Sequence, residues 1–254
     1  GEGLQHQDGH SHVLALPNPS LLAYDPAFAF EIAVIVREGL RRMLEEGENL
    51  VYYLTITNEF YIMPEMPEDA EDGILNGIYR FRTSALKKPK GHANLLGSGA
   101  ILNECLEAAE LLETEYNVAA DVWSVTSYKQ LYWDIQDTER QNRLNPEKKP
   151  RQSFLQQQTA DASGVFVAAS DYLKVLPECI ARHLPGPLFS LGTDGYGRSE
   201  SRDALRDFFE VDARHIAFAA LSALAREKTL PQAAVKKARK TLKINPDRSN
   251  PLFA

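Results

Sequence analysis

Short apolar strands that alternate with amphipathic helices occupy this sequence from residue 93 to residue 242, and they constrain its fold most strongly. Four segments have the β-branched and aromatic character of strands: ANLLG (93–97), ADVWSVTS (120–127), VFVAA (165–169) and LFSLG (188–192). Helices are predicted between and after these strands at 99–116, 128–143, 171–183, 201–209, 212–227 and 231–242, of which 128–143 is polar and the last is basic. Strands joined by such helices favour a mainly parallel sheet with helices on both faces. The sequence therefore predicts an α/β fold built as a three-layer sandwich.

The residues upstream of this alternation predict the tail of a second α/β domain. Residues 1–20 are interpreted as a loop, because glycines interrupt them and two prolines close them. Asp25 is a candidate N-cap, with Pro26 at the first position of the predicted helix, and a strand is predicted at 50–57. The polar stretch 83–92 is rich in Lys, Pro and Gly and favours a linker. The predicted division is thus 1–82, a linker at 83–92, and a second domain at 93–254.

Charge and composition exclude several classes of function. The chain has 28 Lys and Arg against 35 Asp and Glu, for a net charge of −7, so a nucleic-acid partner is not expected. No apolar run is long enough for a membrane helix, and a signal peptide is not expected. Cys105 and Cys179 are interpreted as buried thiols, which fits the reducing cytoplasm. The 254 residues begin with Gly rather than Met, and we expect a piece of a longer protein.

The opening segment GEGLQHQDGHSH is the densest in chemistry. His6, His10 and His12 lie within seven residues, beside Glu2 and Asp8. An imidazole titrates near neutrality and is suited to donating and recovering a proton, which favours catalysis. Three histidines in one loop also suit a metal ion, and a merely solvated loop fits as well. The residues by themselves leave these three alternatives open.

Two glycine-rich loops follow predicted strands, where ligands of parallel sheets usually bind. The GSG at 97–99 fails the dinucleotide fingerprint, because Leu102 stands where a third glycine is required. It is interpreted as a tight turn. The loop GTDGYGRSESR (192–202) contains Asp194, Arg198 and Arg202. Because a guanidinium group binds a carboxylate or another anion through two parallel N–H groups, Arg198 and Arg202 could hold an anion or an interdomain carboxylate. A structural loop at a domain or subunit contact is the alternative.

Several long strings resemble homodimeric bacterial pyruvate dehydrogenase, the decarboxylating first component of the pyruvate dehydrogenase complex. They are the opening segment, AFAFEIAVIVREGLRRM, VYYLTITNEFYIMPEMPEDAEDGILNGIYRF, LLGSGAIL, DVWSVTSYKQL, ASDYLKVLPE, LGTDGYGRSESR and NPLFA. The resemblance covers essentially the whole chain. It implies the transketolase-like superfamily, with the end of a middle pyrimidine-binding domain followed by a C-terminal domain.

The resemblance also implies a chemistry. Members of the family bind thiamine diphosphate and Mg²⁺ at the interface of a homodimer. They decarboxylate pyruvate and reductively acetylate the lipoyl domain of the dihydrolipoamide acetyltransferase component. The active-site histidine of the family maps onto His10 first and His12 second, with His6 a weaker candidate and Asp8 and Glu2 as supporting carboxylates.

A departure from the family pattern limits what this chain is expected to do alone. The Gly-Asp-Gly signature for metal and diphosphate is absent, and Asp194 and Gly195 lie in the C-terminal domain, where the family places no such role. The piece alone is therefore expected to bind neither thiamine diphosphate nor Mg²⁺ and to be inactive. A non-catalytic assembly module and a paralogue acting on another 2-oxo acid remain alternatives.

Overall fold

The computed structural model describes residues 8–254, and their first unit is a small parallel sheet with three helices. Strands β1 (Leu21–Tyr24) and β2 (Val51–Leu54) pair in parallel, with Leu21 opposite Val51. Helices α1 (Ser11–Ala15), α2 (Ala29–Leu40) and α3 (Ala70–Asn76) accompany them, and a π-helical turn over Arg41–Glu45 extends α2. Buried side chains from β1, α2 and α3 form its core: Leu22, Tyr24, Val34, Ile35, Ala70 and Ile74.

Helix α1 corrects the prediction that residues 1–20 form only a loop. The Asp8 carboxylate accepts a hydrogen bond from the Ser11 amide at 2.9 Å, so this amide at the beginning of the helix has a partner. At the other end, the Lys129 ammonium donates to the Ala15 carbonyl at 2.6 Å. Because one of these partners lies more than a hundred residues away, local sequence signals do not predict this helix.

The predicted start of the next helix was also wrong. Helix α2 begins at Ala29, and Asp25 does not cap it. Instead, the carboxylate of Glu31 accepts from the amides of Ala27 at 2.5 Å and Phe28 at 3.0 Å, which satisfies the open donors of the first turn. The same carboxylate accepts from the Tyr79 hydroxyl at 2.7 Å and from a second hydroxyl, that of Ser124, at 2.6 Å. Asp25 is thereby free for another role.

The second sheet has five strands in the order β3-β5-β4-β6-β7. They are β3 (Tyr79–Arg82), β4 (His92–Gly97), β5 (Ala119–Ser124), β6 (Val165–Ala169) and β7 (Leu188–Leu191). All neighbours pair in parallel except β3, which runs antiparallel to β5 at the sheet edge. The predicted mainly parallel sheet is confirmed.

Helices cover both faces of this sheet and bury alternate residues of its strands. One face packs against α4 (Ile101–Tyr116), α8 (Arg202–Phe208), α9 (Ala213–Arg226) and α10 (Gln232–Thr241). The other packs against α5 (Tyr128–Leu144), α6 (Phe154–Gln158) and α7 (Val175–Glu178). In β4, Leu95 belongs to the first core and Leu96 to the second. The three-layer α/β sandwich is therefore confirmed.

The segment 171–183 differs from its predicted continuous helix. It contains only α7 and a separate 3₁₀ turn at Ala181–His183. Pro177 has no amide hydrogen, so it cannot continue an upstream helical ladder. The Ser170 hydroxyl accepts from the amide of Tyr172 at 3.3 Å and does not cap a helix. This leaves an irregular connection directly after β6, at the end where the site lies.

Strand β3 lies before the predicted linker at 83–92 yet belongs to the second sheet. Tyr79 pairs with Ser124 and Arg80 with Trp123, so sheet hydrogen bonds cross the predicted boundary. The division at 83–92 stays a prediction. Cys105 is buried and Cys179 partly buried, and both are free thiols. Within residues 8–254, no helix has the length and apolar character needed to cross a bilayer.

Candidate functional site

The carboxyl ends of strands from both sheets meet in one polar network. Asp25 directly follows β1, Thr55 follows β2 and Ser98 follows β4. The Thr55 hydroxyl donates to Asp25 Oδ1 at 2.6 Å, and the Ser98 hydroxyl donates to Asp25 Oδ2 at 2.8 Å. Because ligands of parallel sheets bind at the carboxyl ends of the strands, this junction is the candidate site.

Backbone contacts hold Asp25 rigidly between the sheets. Its amide donates to the Thr126 carbonyl at 2.8 Å, and its carbonyl accepts from the Gly99 amide at 3.0 Å. Gly99 has a φ of +51°, and a Cβ there would lie 2.7 and 2.8 Å from the two carboxylate oxygens. The second glycine of the GSG turn therefore makes room for Asp25.

His12 extends this network towards α1. Its side chain is only 4% exposed, and its Nε2 lies 2.9 Å from the Thr55 Oγ1. Since Thr55 gives its single hydroxyl proton to Asp25, it must accept from His12, which fixes the proton of His12 on Nε2 and leaves the lone pair on Nδ1. Tyr172 packs edge-on against the imidazole at a centroid distance of 4.5 Å, and Tyr53 lies at 5.6 Å.

Burial shifts the pKa values of the two titratable groups, His12 and Asp25, in opposite directions. It lowers the pKa of His12 to about 4, and the nearby charge of Asp8 only partly opposes this. Burial also raises the pKa of Asp25 to about 6, against the hydroxyls of Thr55 and Ser98, which lower it. At pH 7 the network therefore holds a neutral imidazole and an ionised carboxylate.

The other predicted residues of the opening segment are arranged around α1. His10 is exposed at the start of the helix, and its amide donates to Asp8 Oδ1 at 3.2 Å. Although burial raises it, hydrogen bonds from Ser11 and His10 lower the pKa of Asp8 below its usual value. Glu2 and His6 lie outside the described residues. The structure therefore brings Asp8, His10 and His12 together and separates the two histidines into an exposed and a buried one.

Buried Lys129 fixes the position of this segment. Its ammonium donates to the carbonyls of Ala15 at 2.6 Å and Asn18 at 2.5 Å, and it lies 4.4 Å from the centroid of the Trp133 ring. The indole nitrogen of Trp133 donates to the Leu16 carbonyl at 3.0 Å. Two side chains of α5 thus anchor the histidine-bearing helix onto the second sheet.

Asp194 and Arg198 lie in the loop after β7 and make contacts within the chain. Asp194 accepts from the Lys174 amide at 3.0 Å, and its carboxylate is 3.3 Å from the ammonium of the same lysine. Arg198 donates to the carbonyl oxygen of Ala254, and its guanidinium lies 5.4 Å from the centroid of the Phe208 ring. The loop is therefore joined to the end of the chain.

Arg202 connects the segment after β2 to the second sheet. Its guanidinium donates to the Asn58 side chain and lies 3.8 Å from Glu59. Arg206, one helical turn further, binds both Glu59 and Glu104, the latter at 3.1 Å. These ion pairs join residues on both sides of the predicted linker. A role for Asp194, Arg198 and Arg202 at a subunit interface stays a prediction.

One cluster of three possible metal ligands occurs among residues 8–254, and it does not fit a divalent cation. It consists of Asp207, Asp212 and His215, whose ligand atoms lie within 4.8 Å of one another. Arg214 binds both carboxylates, at 2.5 and 2.6 Å, and Arg248 binds Asp207 as well. Although burial raises it, hydrogen bonds from His215 and Arg214 lower the pKa of Asp212 to about 2. Two guanidinium groups already neutralise the two carboxylates, so no negative charge remains for a metal ion.

Sequence reasoning does not assign Asp25, Thr55 or Tyr172 to a site, and it interprets Ser98 only as part of a tight turn after a strand. All four follow a strand of a parallel sheet, and that shared position is the signal that finds them. The sequence predicts a helix cap at Asp25, because an acidic residue directly before a proline is a strong local signal for the start of a helix. Thr55 was included in its strand, which ends one residue earlier.

Two family descriptions match consecutive parts of the chain. Residues 1–64 match the "Pyruvate dehydrogenase E1 component middle domain". Residues 77–212 match the "Transketolase-like TK C-terminal domain". The second match alone covers more than half of the chain.

Relatives match over the whole chain. The pyruvate dehydrogenase E1 component of Pseudomonas aeruginosa is 46% identical over 99% of this chain and 29% of its own length. That of Escherichia coli K12 is 47% identical over 100% of this chain and 28% of its own length. The chain thus spans less than a third of the curated relatives it matches.

A solved structure shares the fold. The "Split gene transketolase, inactive beta4 tetramer" is 19% identical, with a TM-score of 0.54, over 87% of this chain and 63% of its own. The chain therefore belongs to the transketolase-like C-terminal domain family, and its resemblance to the first component of the pyruvate dehydrogenase complex is confirmed.

Proposed function

We propose that this chain is part of a thiamine diphosphate-dependent pyruvate dehydrogenase, which decarboxylates pyruvate and reductively acetylates the lipoyl domain of a dihydrolipoamide acetyltransferase. The identity of about 46% to proteins named pyruvate dehydrogenase E1 component supports this. The observation that carries the proposal is the pair of histidines at the start of α1, an exposed His10 before the helix and a buried His12 within it, of which His12 contacts the network at the carboxyl ends of the strands. We place the protein in the cytoplasm, because its two cysteines are free thiols and the cytoplasm is a reducing compartment.

The two histidines have different tasks in this proposal. His10 is exposed and thus accessible to a substrate, so it is the proton donor and acceptor at the reacting oxygen. His12 is neutral at pH 7 and its Nε2 is bound to Thr55, so it is not an acid at that pH. Its fixed imidazole orients the segment and offers only the Nδ1 lone pair. Asp8 holds the amides that begin α1 and so positions His10.

Thiamine diphosphate and Mg²⁺ are bound, in this proposal, by residues of the full-length protein outside this chain. Within the described residues, the one cluster of three possible metal ligands does not fit the ion, since Arg214 and Arg248 neutralise its carboxylates. We expect no binding of thiamine diphosphate and Mg²⁺ to the 254-residue chain by calorimetric titration, and micromolar binding would contradict this.

The exposed apolar side chains after β2 support a homodimer. The segment from Ile56 to Met66 presents Ile56, Phe60, Ile62, Met63 and Met66 to the surface, and Phe60 is fully exposed. A concentration of exposed large apolar side chains in one short segment is characteristic of a protein interface. Glu59, within the same segment, is held by Arg206, so the backbone that carries these side chains is tied to α8.

Turnover by the full-length protein tests the proposed function. Pyruvate, 2-oxobutyrate and 2-oxoglutarate are compared as substrates, and acetylation of a lipoyl domain is followed by mass spectrometry. We expect a preference for pyruvate and a loss of about hundredfold in kcat for His10→Ala, the size of a general acid–base contribution. The control is His92→Gln, because His92 lies at the opposite end of β4 from Ser98. Full activity of His10→Ala, or preference for another 2-oxo acid, would contradict the proposal.

A further inference from the structure

A continuous chain of hydrogen bonds leads from His12 away from the surface to a carboxylate between the two sheets. It runs from Nε2 of His12 to the Thr55 hydroxyl at 2.9 Å and from there to Asp25 at 2.6 Å. Both contacts are within hydrogen-bonding distance, and the second is as short as a charge-assisted bond. The Ser98 hydroxyl holds the far oxygen of the carboxylate at 2.8 Å. Imidazole, hydroxyl and carboxylate are thus aligned in the order that a proton relay requires.

We propose that Thr55 and Asp25 are positioning residues that fix the tautomer of His12 and receive the proton that it takes up. This inference rests on the proposed function, since it assigns a task to the buried histidine of the same site. It differs from the role of His10, which acts at the surface of the site.

The relay is balanced in atoms and charge. A proton that reaches the Nδ1 lone pair forms the N–H bond there, and the Nε2–H bond breaks as its proton passes to the Thr55 oxygen. The original hydroxyl proton of Thr55 passes to Asp25 and forms a neutral carboxylic acid. His12 is neutral at the beginning and at the end, with its proton moved from Nε2 to Nδ1, and the charge of Asp25 is cancelled. In the reverse sequence Asp25 gives its proton back to the Thr55 oxygen, Thr55 gives its proton back to Nε2, and a proton is released from Nδ1.

The environment favours Asp25 over His12 as the place where this proton rests. A pKa of about 6 for Asp25 against about 4 for His12 corresponds to a preference of about hundredfold for the carboxylate. Burial is the main cause of both pKa shifts, because it disfavours charged groups. With the proton on Asp25 both side chains are neutral, whereas a protonated His12 beside an ionised Asp25 leaves two buried charges.

Charged and polar groups from every neighbouring element act on the pair. Asp8, before α1, raises the pKa of both Asp25 and His12. In the connection after β6, the pKa of Asp171 is raised by burial and by the charge of Asp25, and the phenol of Tyr172 lies against the imidazole. Tyr53 in β2 contacts the other side of the ring. The two nearby carboxylates favour uptake of a proton by the network.

Variants at Thr55 separate a relay from a structural role. Thr55→Val keeps the shape of the side chain and removes the hydroxyl, whereas Thr55→Ser keeps the hydroxyl. Asp25→Asn keeps the size and hydrogen-bonding reach of the side chain but cannot accept the proton. In the full-length protein, we expect Thr55→Val and Asp25→Asn to lower kcat for pyruvate by about hundredfold with little change in KM, and Thr55→Ser to retain most of the rate.

The dependence of kcat on the fraction of deuterium in the solvent is the decisive kinetic measurement. Several protons in flight give a curved dependence in the wild type and in Thr55→Ser, and a linear one in Thr55→Val. A merely structural role lowers the rate without changing the shape of the curve. An identical curve in the wild type and Thr55→Val would overturn the relay.

An infrared measurement keeps this inference distinct from the proposed function. On acidification to about pH 5, a carbonyl band of a protonated carboxyl is expected in the difference between the spectra of the full-length wild type and Asp25→Asn, in which the band of other buried carboxyls such as Asp171 cancels. Absence of the band from this difference would overturn the relay whatever the activity. If the band is present and pyruvate is not turned over, the proposed function fails while Asp25 is still the proton acceptor.

Discussion

Replacement of Gly99 by alanine measures how firmly Asp25 is held between the two sheets. Alanine at a φ of +51° costs about 1 kcal/mol in backbone energy. Its Cβ would also lie 2.7 and 2.8 Å from the carboxylate oxygens, which are bound to two hydroxyls. Hydrogen bonds to charged groups contribute roughly 1.5–3 kcal/mol each, and displacement of the carboxylate weakens both. We expect Gly99→Ala to lower the free energy of unfolding by about 3 kcal/mol in total.

Gly47→Ala is the matched control for this prediction. Gly47 also has a positive φ, +68°, but a Cβ there meets nothing within 4 Å, so only the backbone cost of about 1 kcal/mol applies. Urea unfolding followed by circular dichroism gives both values. In addition, Gly99→Ala made in an Asp25→Ala background is expected to cost no more than Gly47→Ala. Equal costs for the two glycines in the wild-type background would refute the reasoning.

Three further predictions concern pH, the anchor of α1 and assembly. The pKa of His12 is about 4 in the folded chain and 6.5 when unfolded, so its contribution to stability is present above pH 6.5 and lost as the pH falls through 4. The loss of unfolding free energy reaches about 3 kcal/mol. It is measured by urea unfolding as the difference between the wild type and His12→Gln, because the opposite effect of Asp25 is present in both and cancels. A difference that does not change with pH would contradict this prediction. Lys129→Met leaves two backbone carbonyls without their donor and is expected to cost roughly 2–4 kcal/mol by the same assay, whereas the exposed Lys240→Met should cost nearly nothing. Arg198→Ala is expected to weaken assembly of the full-length protein more than the chemical step, and unchanged dimer mass by ultracentrifugation together with lost turnover would argue the opposite.

The second sheet was predictable because its strands depend on local composition. The run VFVAA at 165–169 is buried on both faces, and an apolar run of that length has few other structures available to it. The sequence does not predict β3 as a strand of its own, because four residues that include two arginines lack the apolar signature of a strand. Its place is set by pairing with β5 forty residues later.

The candidate site was only half predictable, because its other half is made by contacts between distant segments. The histidines were visible as unusual residue types in a short span, but burial separates His10 from His12 and no sequence pattern reports it. Asp25 shows the limit most clearly. Its local surroundings predict a helix cap, and hydrogen bonds from Thr55 and Ser98 give it another role.

The buried carboxylate of Glu31 has a consequence for recombining relatives. It accepts from two amides at the start of α2 and from hydroxyls of Tyr79 and Ser124, which belong to two strands of the other sheet. A chimaera cut between residues 64 and 77, where the two family matches end and begin, separates Glu31 from both hydroxyls. Such a hybrid keeps the Glu31 carboxylate satisfied only if the relative that provides the second half also has hydroxyls at the positions of Tyr79 and Ser124. The compatibility of two halves therefore depends on the partners of this carboxylate and not only on the position of the cut.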